Sequence, residues 1–106
     1  MPVRERMLGS VQIVLLHLVE QNVARYGESL REELTKLFGE HVADAQVYVA
    51  LNRLYERGLL LEGGVQHTGR KGKPRKLYRI SPEGSEALDQ YRTIASYILS
   101  KTEPVH

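Results

Sequence analysis

The chain of 106 residues contains 42% hydrophobic and 26% charged residues, a formal net charge of +2 and no cysteine. Such a composition predicts one folded domain rather than a disordered chain, and it excludes disulfides, thiolate metal sites and a cysteine nucleophile. Because the apolar runs are far shorter than a membrane span and the first residues do not resemble a signal peptide, we expect a cytoplasmic protein without membrane contact.

The first half of the chain begins with two stretches that have the apolar spacing of a helix. From Ser10, the predicted N-cap, apolar residues recur on a broad face as far as Val19, so the first helix should be largely buried. The second helix is predicted from about Glu28 to Phe38. It should end at Gly39, because glycine readily adopts the left-handed conformation that commonly follows a helix.

A third helix is predicted from Asp44, its expected N-cap, to a stop at Gly58. Val47, Leu51 and Leu54 form its apolar stripe. The connection from the second helix is about five residues long, which is typical of neighbouring helices in a helix-turn-helix. The second and third helices therefore predict such a pair.

The period of the pattern changes after the third helix. The segments LLLEGGVQ and RKLYRI predict the two strands of a β-hairpin, with Tyr78 and Ile80 facing the core. Residues 59 to 80 carry six Lys or Arg and one acid, whereas the rest of the chain carries nine basic and twelve acidic residues. Positive charge is thus concentrated in one segment, as expected of a surface that meets a polyanion.

The last helix is predicted from about Pro82 to Lys101, with Ser81 as its N-cap and proline at its first position. No later segment covers its apolar stripe, and a chain this small gains stability by pairing two copies. We therefore expect this helix to form the interface of a homodimer. The predicted interface residues are Ala87, Leu88, Tyr91, Ile94, Ala95 and Ile98.

Three helices followed by a hairpin are the elements of a winged helix-turn-helix, a mainly α fold with a small β-hairpin (α+β). In that fold the third helix enters the major groove of DNA, and the hairpin, called the wing, reaches the flanking backbone or the minor groove. We expect residues 8 to 80 to form the DNA-binding domain and residues 81 to 101 to form a dimerisation helix packed on it. Double-stranded DNA is the expected partner.

The expected DNA contacts come from three elements. On the third helix, Gln and Asn can bind adenine edges, Arg can bind guanine, and Tyr or Val can contact a thymine methyl or a phosphate. Wing cations would contact phosphates or the minor groove, and the start of the second helix could donate to phosphate. For Tyr48, packing beside the apolar stripe is the alternative. The predicted residues are Gln46, Tyr48, Val49, Asn52 and Arg53 on the third helix, Arg70, Lys71, Lys73, Arg75 and Lys76 on the wing, and Tyr26, Gly27 and Ser29 at the start of the second helix.

Other classes of function have less support in the sequence. Gly64 and Gly69 have the spacing of a phosphate-binding loop, but Arg70 and Lys71 stand where Lys and then Ser or Thr are required. The histidines form no i, i+4 metal pair and there is no nucleophile elbow, so we expect neither an enzyme, nor a metal, nor another cofactor. Two alternatives stay open: a winged helix that binds protein without specific DNA binding, and a metal-sensing regulator.

The stretches LGSVQIVLLHLV, YGESLREEL, VYVALNRLYERGLL and GRKGKPRKLYRISPEGSEAL resemble the PadR family of bacterial transcriptional regulators. The resemblance runs from Leu8 to about Leu88, and the single C-terminal helix resembles the short form of the family. It implies a dimeric repressor, and some members of that form release DNA on binding small aromatic effectors. The chain departs from the family at Ala45 and Gln46, where a proline-glycine pair is common, and at Val47, where leucine is common. The family's operator sequence therefore does not carry over.

Overall fold

The computed structural model describes residues 8–67 and 74–101, which form four helices and one antiparallel hairpin. This architecture confirms the predicted winged helix-turn-helix followed by a long helix. Within the described ranges, no helix is both long and apolar enough to cross a membrane. In chain order the elements are α1 (Ser10–Glu20), α2 (Gly27–Phe38), α3 (Asp44–Glu56), β1 (Leu60–Gln66), β2 (Arg75–Ile80) and α4 (Pro82–Lys101).

The N-caps of two helices lie one residue before their predicted positions. Ser10 lies inside α1, and Gly9 is the N-cap, whose N–H donates to Gln12 Oε1 at 3.1 Å. Asp44 lies in the first turn of α3, and Ala43 holds the N-cap position with φ −71° and ψ 146°. An acid in the first turn still interacts favourably with the helix dipole. The predicted N-caps at Ser10 and Asp44 were therefore wrong by one position, although the helices themselves are where the pattern placed them.

The core consists mainly of leucines from the three N-terminal helices and β1. Because the α3 stripe faces inward, as predicted, the opposite side of α3 is left exposed. Truncating one fully buried leucine in such a core costs about 2–5 kcal/mol. The largest fully buried side chains are Leu15, Leu16, Leu30, Leu34, Val47, Leu51, Leu54 and Leu60.

The strands β1 and β2 form the hairpin that is here called the wing. Its strands pair antiparallel from Leu60 opposite Ile80 to Gln66 opposite Arg75, with a break in the register before Val65. Gly64 has φ +107° at this break, a conformation that favours glycine. The irregularity therefore depends on glycine at this position.

Arg25 attaches the wing to the helices. Its carbonyl accepts a hydrogen bond from the Tyr78 N–H at 2.8 Å, and its Nε donates to the Tyr78 carbonyl at 3.2 Å. The Tyr78 side chain is buried and Ile80 packs against the core, which confirms the predicted inward face of β2. The base of the wing is thus held by hydrogen bonds between Arg25 and the Tyr78 backbone and by apolar contacts with the core.

The start of α4 is bonded tightly to the junction between α3 and β1. The hydroxyl of buried Ser81 donates to the Gly58 carbonyl at 2.6 Å and accepts from the Gly84 N–H at 2.9 Å, which confirms Ser81 as the cap. The Ser81 N–H donates to the Leu59 carbonyl at 3.1 Å. A Cβ on Gly84 would overlap that same carbonyl, so only glycine allows this close approach.

An ion-pair cluster holds α4 against α1. Arg92 donates from Nη2 to Glu20 Oε1 at 2.7 Å and from Nη1 to Asp89 Oδ1 at 3.0 Å. Ser85 Oγ donates to Glu20 Oε2 at 3.0 Å, and the His17 ring lies 3.1 Å from Arg92 Nη2. The hydrogen bond from Arg92 lowers the pKa of Glu20, and the same bond raises the pKa of Arg92. Both groups are therefore charged at neutral pH.

Candidate nucleic-acid interface

The exposed side of α3 carries all five residues that were predicted to contact bases. Toward α1, three of them line a groove of about 790 Å³ together with Val11 and Gln12. Toward the wing, the exposed side of α3 carries Tyr48, which is 53% exposed. The residues facing α1 are Gln46, Val49 and Arg53, and Asn52 is exposed as well.

The Tyr48 ring lies directly over Gly27, the first residue of α2. A Cβ at Gly27 would stand 2.7 Å from two carbons of that ring, so the contact requires a residue without a side chain. Gly27 was predicted to contact phosphate. In the structure Gly27 is buried and packs against the Tyr48 ring. Tyr48 is therefore positioned by packing on one side and is exposed on the other.

A crevice at the base of the wing, here called the wing crevice, joins the three elements that were predicted to contact DNA. It has a volume of about 390 Å³. The start of α2, the exposed side of α3 and the first residues of β2 each contribute to it. Its lining residues are Tyr26, Gly27, Glu28, Tyr48, Pro74, Arg75, Lys76 and Tyr78.

Arg75 is held in the wing crevice by an aromatic ring and a carboxylate. Its Cζ atom lies 4.4 Å from the centre of the Tyr26 ring, and its Nη2 lies 4.0 Å from Glu28 Oε2. Cation–π contacts at partly exposed sites contribute about 0.5–1 kcal/mol, and exposed ion pairs about 0–1 kcal/mol. The guanidinium is thus oriented but can still exchange its carboxylate partner.

Lys76 has a similar environment on the other face of the strand. Its Nζ lies 5.0 Å from the Tyr55 ring centre, 5.4 Å from the Tyr78 ring centre and 3.4 Å from Glu62 Oε1. Burial raises the pKa of Tyr78, so its hydroxyl remains a neutral phenol at physiological pH. Arg75 and Lys76 therefore each lie over an aromatic ring and beside an acid.

The remaining predicted contact residues are Ser29 and three cations of the wing. The Ser29 hydroxyl donates to the Tyr26 carbonyl at 2.9 Å, which gives it a partner within the first turn of α2. The prediction from sequence included neither Tyr55 nor Glu62. Tyr55 stands three residues after Asn52 on the exposed side of α3, so helical spacing could have identified it. The predicted wing residues Arg70, Lys71 and Lys73 lie outside the described residues.

The predicted dimer residues of α4 divide into a buried and an exposed group. Leu88 is 2% exposed within its own chain and belongs to the core, so it offers almost no surface to a partner. Ala87 and Tyr91 are half-buried against that core, and the Tyr91 hydroxyl accepts a hydrogen bond from the Leu8 N–H. Every residue from 92 to 101 is exposed. The exposed apolar group comprises the predicted Ile94, Ala95 and Ile98 and also Tyr97 and Leu99, which the predicted stripe omitted.

An apolar groove of about 760 Å³ lies between α1, α2 and α4. Its polar lining consists of His17, Glu33, Lys36 and Arg92. In the described part of the chain, no three His, Asp or Glu residues are grouped so that they could hold a metal ion. The apolar lining is formed by Ile13, Val14, Leu18, Val23, Leu37, Leu88, Tyr91 and Ala95.

Comparison with known proteins agrees with this architecture. A family model described as the transcriptional regulator PadR-like family matches residues 15–90. The chain is similar to a crystal structure of a PadR-like transcriptional regulator from Bacillus cereus strain ATCC 14579, with 24% identity and a TM-score of 0.71 over 86% of this chain and 85% of that chain. A PadR family transcription regulator from Clostridium difficile R20291 has 20% identity and a TM-score of 0.70 over 87% and 93%.

A third similar structure is RosR of H. salinarum, with 25% identity and a TM-score of 0.66 over 95% of this chain and 83% of that chain. A comparison with curated proteins gives no match. The matched family model covers α2, α3 and the wing completely, together with most of α1 and the first half of α4. With its winged-helix DNA-binding fold, the chain belongs to the PadR-like family, whose members are transcriptional regulators and not enzymes.

Proposed function

We propose that this protein is a homodimeric repressor that binds a specific double-stranded DNA site through α3 and the wing. The observation that carries the proposal is the wing crevice, in which Tyr26, Tyr48 and Arg75 meet from three different elements. The positive charge concentrated in the wing supports the same partner. A cytoplasmic location is part of the proposal, because such a regulator acts on chromosomal DNA.

In this proposal α3 supplies sequence recognition and the wing supplies backbone affinity. Amide and guanidinium groups on α3 would bind base edges, and its exposed Tyr and Val would contact a thymine methyl or a phosphate. Each wing cation that neutralises a phosphate would release counterions and make affinity depend on salt. The proposed base contacts are Gln46, Tyr48, Val49, Asn52 and Arg53, and the proposed backbone contacts are Arg70, Lys71, Lys73, Arg75, Lys76, Tyr26, Gly27 and Ser29.

Fluorescence anisotropy with a duplex from the protein's own promoter tests the DNA-binding proposal. Changing Arg70, Lys73 and Arg75 together to alanine should weaken binding and reduce the slope of log affinity against log salt by up to about 2.7, or roughly 0.9 for each lost phosphate contact. Lys36→Ala, on the exposed side of α2, is the charge control and should leave the slope unchanged.

Unchanged binding by the triple variant would contradict the role of the wing. Equal affinity of the unmodified protein for the promoter duplex and for a scrambled duplex would contradict sequence-specific binding. In that case a protein recovered with the chain in a pull-down would support the alternative, a winged helix used for protein interaction.

We further propose that residues 81–101 act as a dimerisation helix, while residues 8–80 form the DNA-binding unit. The support is the exposed apolar end of α4, where Ile94 is 52% and Leu99 is 71% exposed. Exposed apolar groups of this kind, continuous with an apolar groove, are typical of interaction surfaces. Two copies related by a two-fold axis would present two α3 helices to the half-sites of a palindromic operator.

Analytical ultracentrifugation tests the dimer. Ile94→Glu should shift the protein to a monomer, since a carboxylate would be buried in the interface without a partner. Ser96→Glu places the same charge on an exposed position of the same helix and should leave the dimer intact. A monomeric unmodified protein, or equal behaviour of the two variants, would contradict the proposed interface.

Regulation by a small aromatic effector is the last part of the proposal. We propose the apolar groove beside Tyr91 as the effector site. Its volume of about 760 Å³ supports this, because small-molecule sites measure about 300–1,000 Å³. A ligand between α1 and α4 would change the angle of α4 and hence the separation of the two α3 helices. A hydrophobic aromatic dye that binds this groove should lower DNA affinity, and an unchanged affinity at saturating dye would contradict release by this route.

A further inference from the structure

The wing crevice contains one group that should oppose DNA binding. Glu28 lines the crevice in the first turn of α2, and its side chain is 50% exposed. Its carboxylate stands 4.0 Å from the guanidinium of Arg75, the cation that the proposed function assigns to a DNA phosphate. An acid therefore lies beside the wing arginine, facing the same crevice.

Carboxylate and phosphate compete for the same donors of arginine. The planar guanidinium binds either group through paired N–H donors, so the two anions have the same preferred positions. Glu28 is also favoured where it is, because an acid in the first turn of a helix interacts with the positive end of the helix dipole. A phosphate that approaches Arg75 must displace the carboxylate or be held against its repulsion.

The Tyr26 ring makes displacement the simpler outcome. The Arg75 side chain is 27% exposed and its Cζ stacks at 4.4 Å on that ring. The stacking does not involve Glu28, so it can hold the guanidinium in place when the carboxylate leaves. Arg75 would then meet a phosphate without first losing its orientation.

We propose that Glu28 is an intramolecular competitor for Arg75 that limits the affinity of the wing for the DNA backbone, whatever the base sequence. This inference rests on the proposed DNA-binding function. Backbone contacts supply most of non-specific affinity, whereas base contacts distinguish sequences. By weakening one backbone contact, Glu28 makes occupancy depend more on the bases that α3 contacts.

The test measures binding of the full-length chain to a labelled duplex of mixed sequence and to its promoter duplex, in NaCl from about 50 to about 200 mM. Glu28→Gln should bind both duplexes about two- to five-fold more tightly, the range expected for removing one exposed ion pair. The slope of log affinity against log salt should steepen by at most about 0.9, because Arg75, which Glu28 partly neutralises in the unmodified protein, is then fully available to phosphate.

Two comparisons isolate the contact itself. Glu86→Gln removes the same charge from an exposed position of α4, outside the wing crevice, and should leave affinity and slope unchanged. In an Arg75→Ala background, Glu28→Gln should have no effect, since the competed group is absent. Circular dichroism on each variant checks that the helix content is retained.

The outcomes separate this inference from the proposed function. An unmodified protein that binds neither duplex would overturn the proposed function and this inference with it. Binding by the unmodified protein together with equal effects of Glu28→Gln and Glu86→Gln would overturn the inference alone. An effect of Glu28→Gln that persists without Arg75 would also overturn it, because the acid would then be acting on DNA directly.

Discussion

Replacing Gly84 by alanine should destabilise the protein, although the same change stabilises most helices. The added Cβ would overlap the Leu59 carbonyl and press on the Ile80 side chain. The carbonyl cannot turn away freely, because it accepts the hydrogen bond of the Ser81 N–H at 3.1 Å. The first turn of α4 would therefore have to move away from the α3–β1 junction.

The size of the effect follows from three contributions. Alanine gains about 1 kcal/mol over glycine in a helix. Overpacking against fixed atoms costs about 1–3 kcal/mol, and loss of the Ser81 cap costs about 1 kcal/mol more. The net loss of unfolding free energy is about 1–3 kcal/mol, which lowers Tm by roughly 5–20 °C for a domain of this size.

Thermal unfolding followed by circular dichroism measures this loss, with all proteins at one concentration because a dimer's Tm depends on it. Gln90→Ala, at an exposed position of the same helix, is the control. Its stability should stay within about 0.5 kcal/mol of the unmodified protein. A Gly84→Ala protein as stable as the unmodified one would refute the close packing of α4 on Leu59.

Two further substitutions separate stability from the site. Gly27→Ala displaces the Tyr48 ring, which is half-exposed and can rotate. The free energy of unfolding should therefore change by less than about 0.5 kcal/mol, while DNA affinity falls. If Gly27→Ala lowered DNA affinity equally in a Tyr48→Ala background, the contact between the two residues would not be the cause. Arg92→Met removes the group that lowers the pKa of Glu20. A lowered pKa of Glu20 stabilises the fold at pH values above the ordinary value of 4.5, and this stabilisation is lost as the pH falls through the pKa of the folded state. The free energies of unfolding of Arg92→Met and of the unmodified protein should therefore differ at neutral pH and converge in acid. A difference that persists in acid would contradict this account.

The elements could be predicted because burial leaves a local pattern in the chain. The stripe of Val47, Leu51 and Leu54 located α3, and the same stripe indicated which side of the helix stays exposed. The N-caps were less accessible to prediction, because a cap is decided by the backbone angles of one residue. Ser10 and Asp44 have suitable side chains but lie inside their helices.

The candidate site was only partly predictable. Tyr26, Tyr48 and Arg75 were each predicted separately from helix starts, exposed faces and the basic wing. Their meeting in one crevice brings together three elements that are distant in sequence, and no local pattern encodes it. For the same reason, only the structure showed that Glu28 stands beside Arg75.

The sequence by itself determined the order of elements, the concentration of positive charge in the wing and the membership of a regulator family. These properties depend on residue type and short-range spacing, which the chain displays directly. The tertiary structure alone decided which residues contact one another. Tyr48 packs on Gly27, Arg92 bonds to Glu20, which lies 72 positions earlier in the chain, and the carboxylate of Glu28 stands beside Arg75. Such contacts depend on how the core packs the helices against one another, and a small change in that packing would exchange one partner for another.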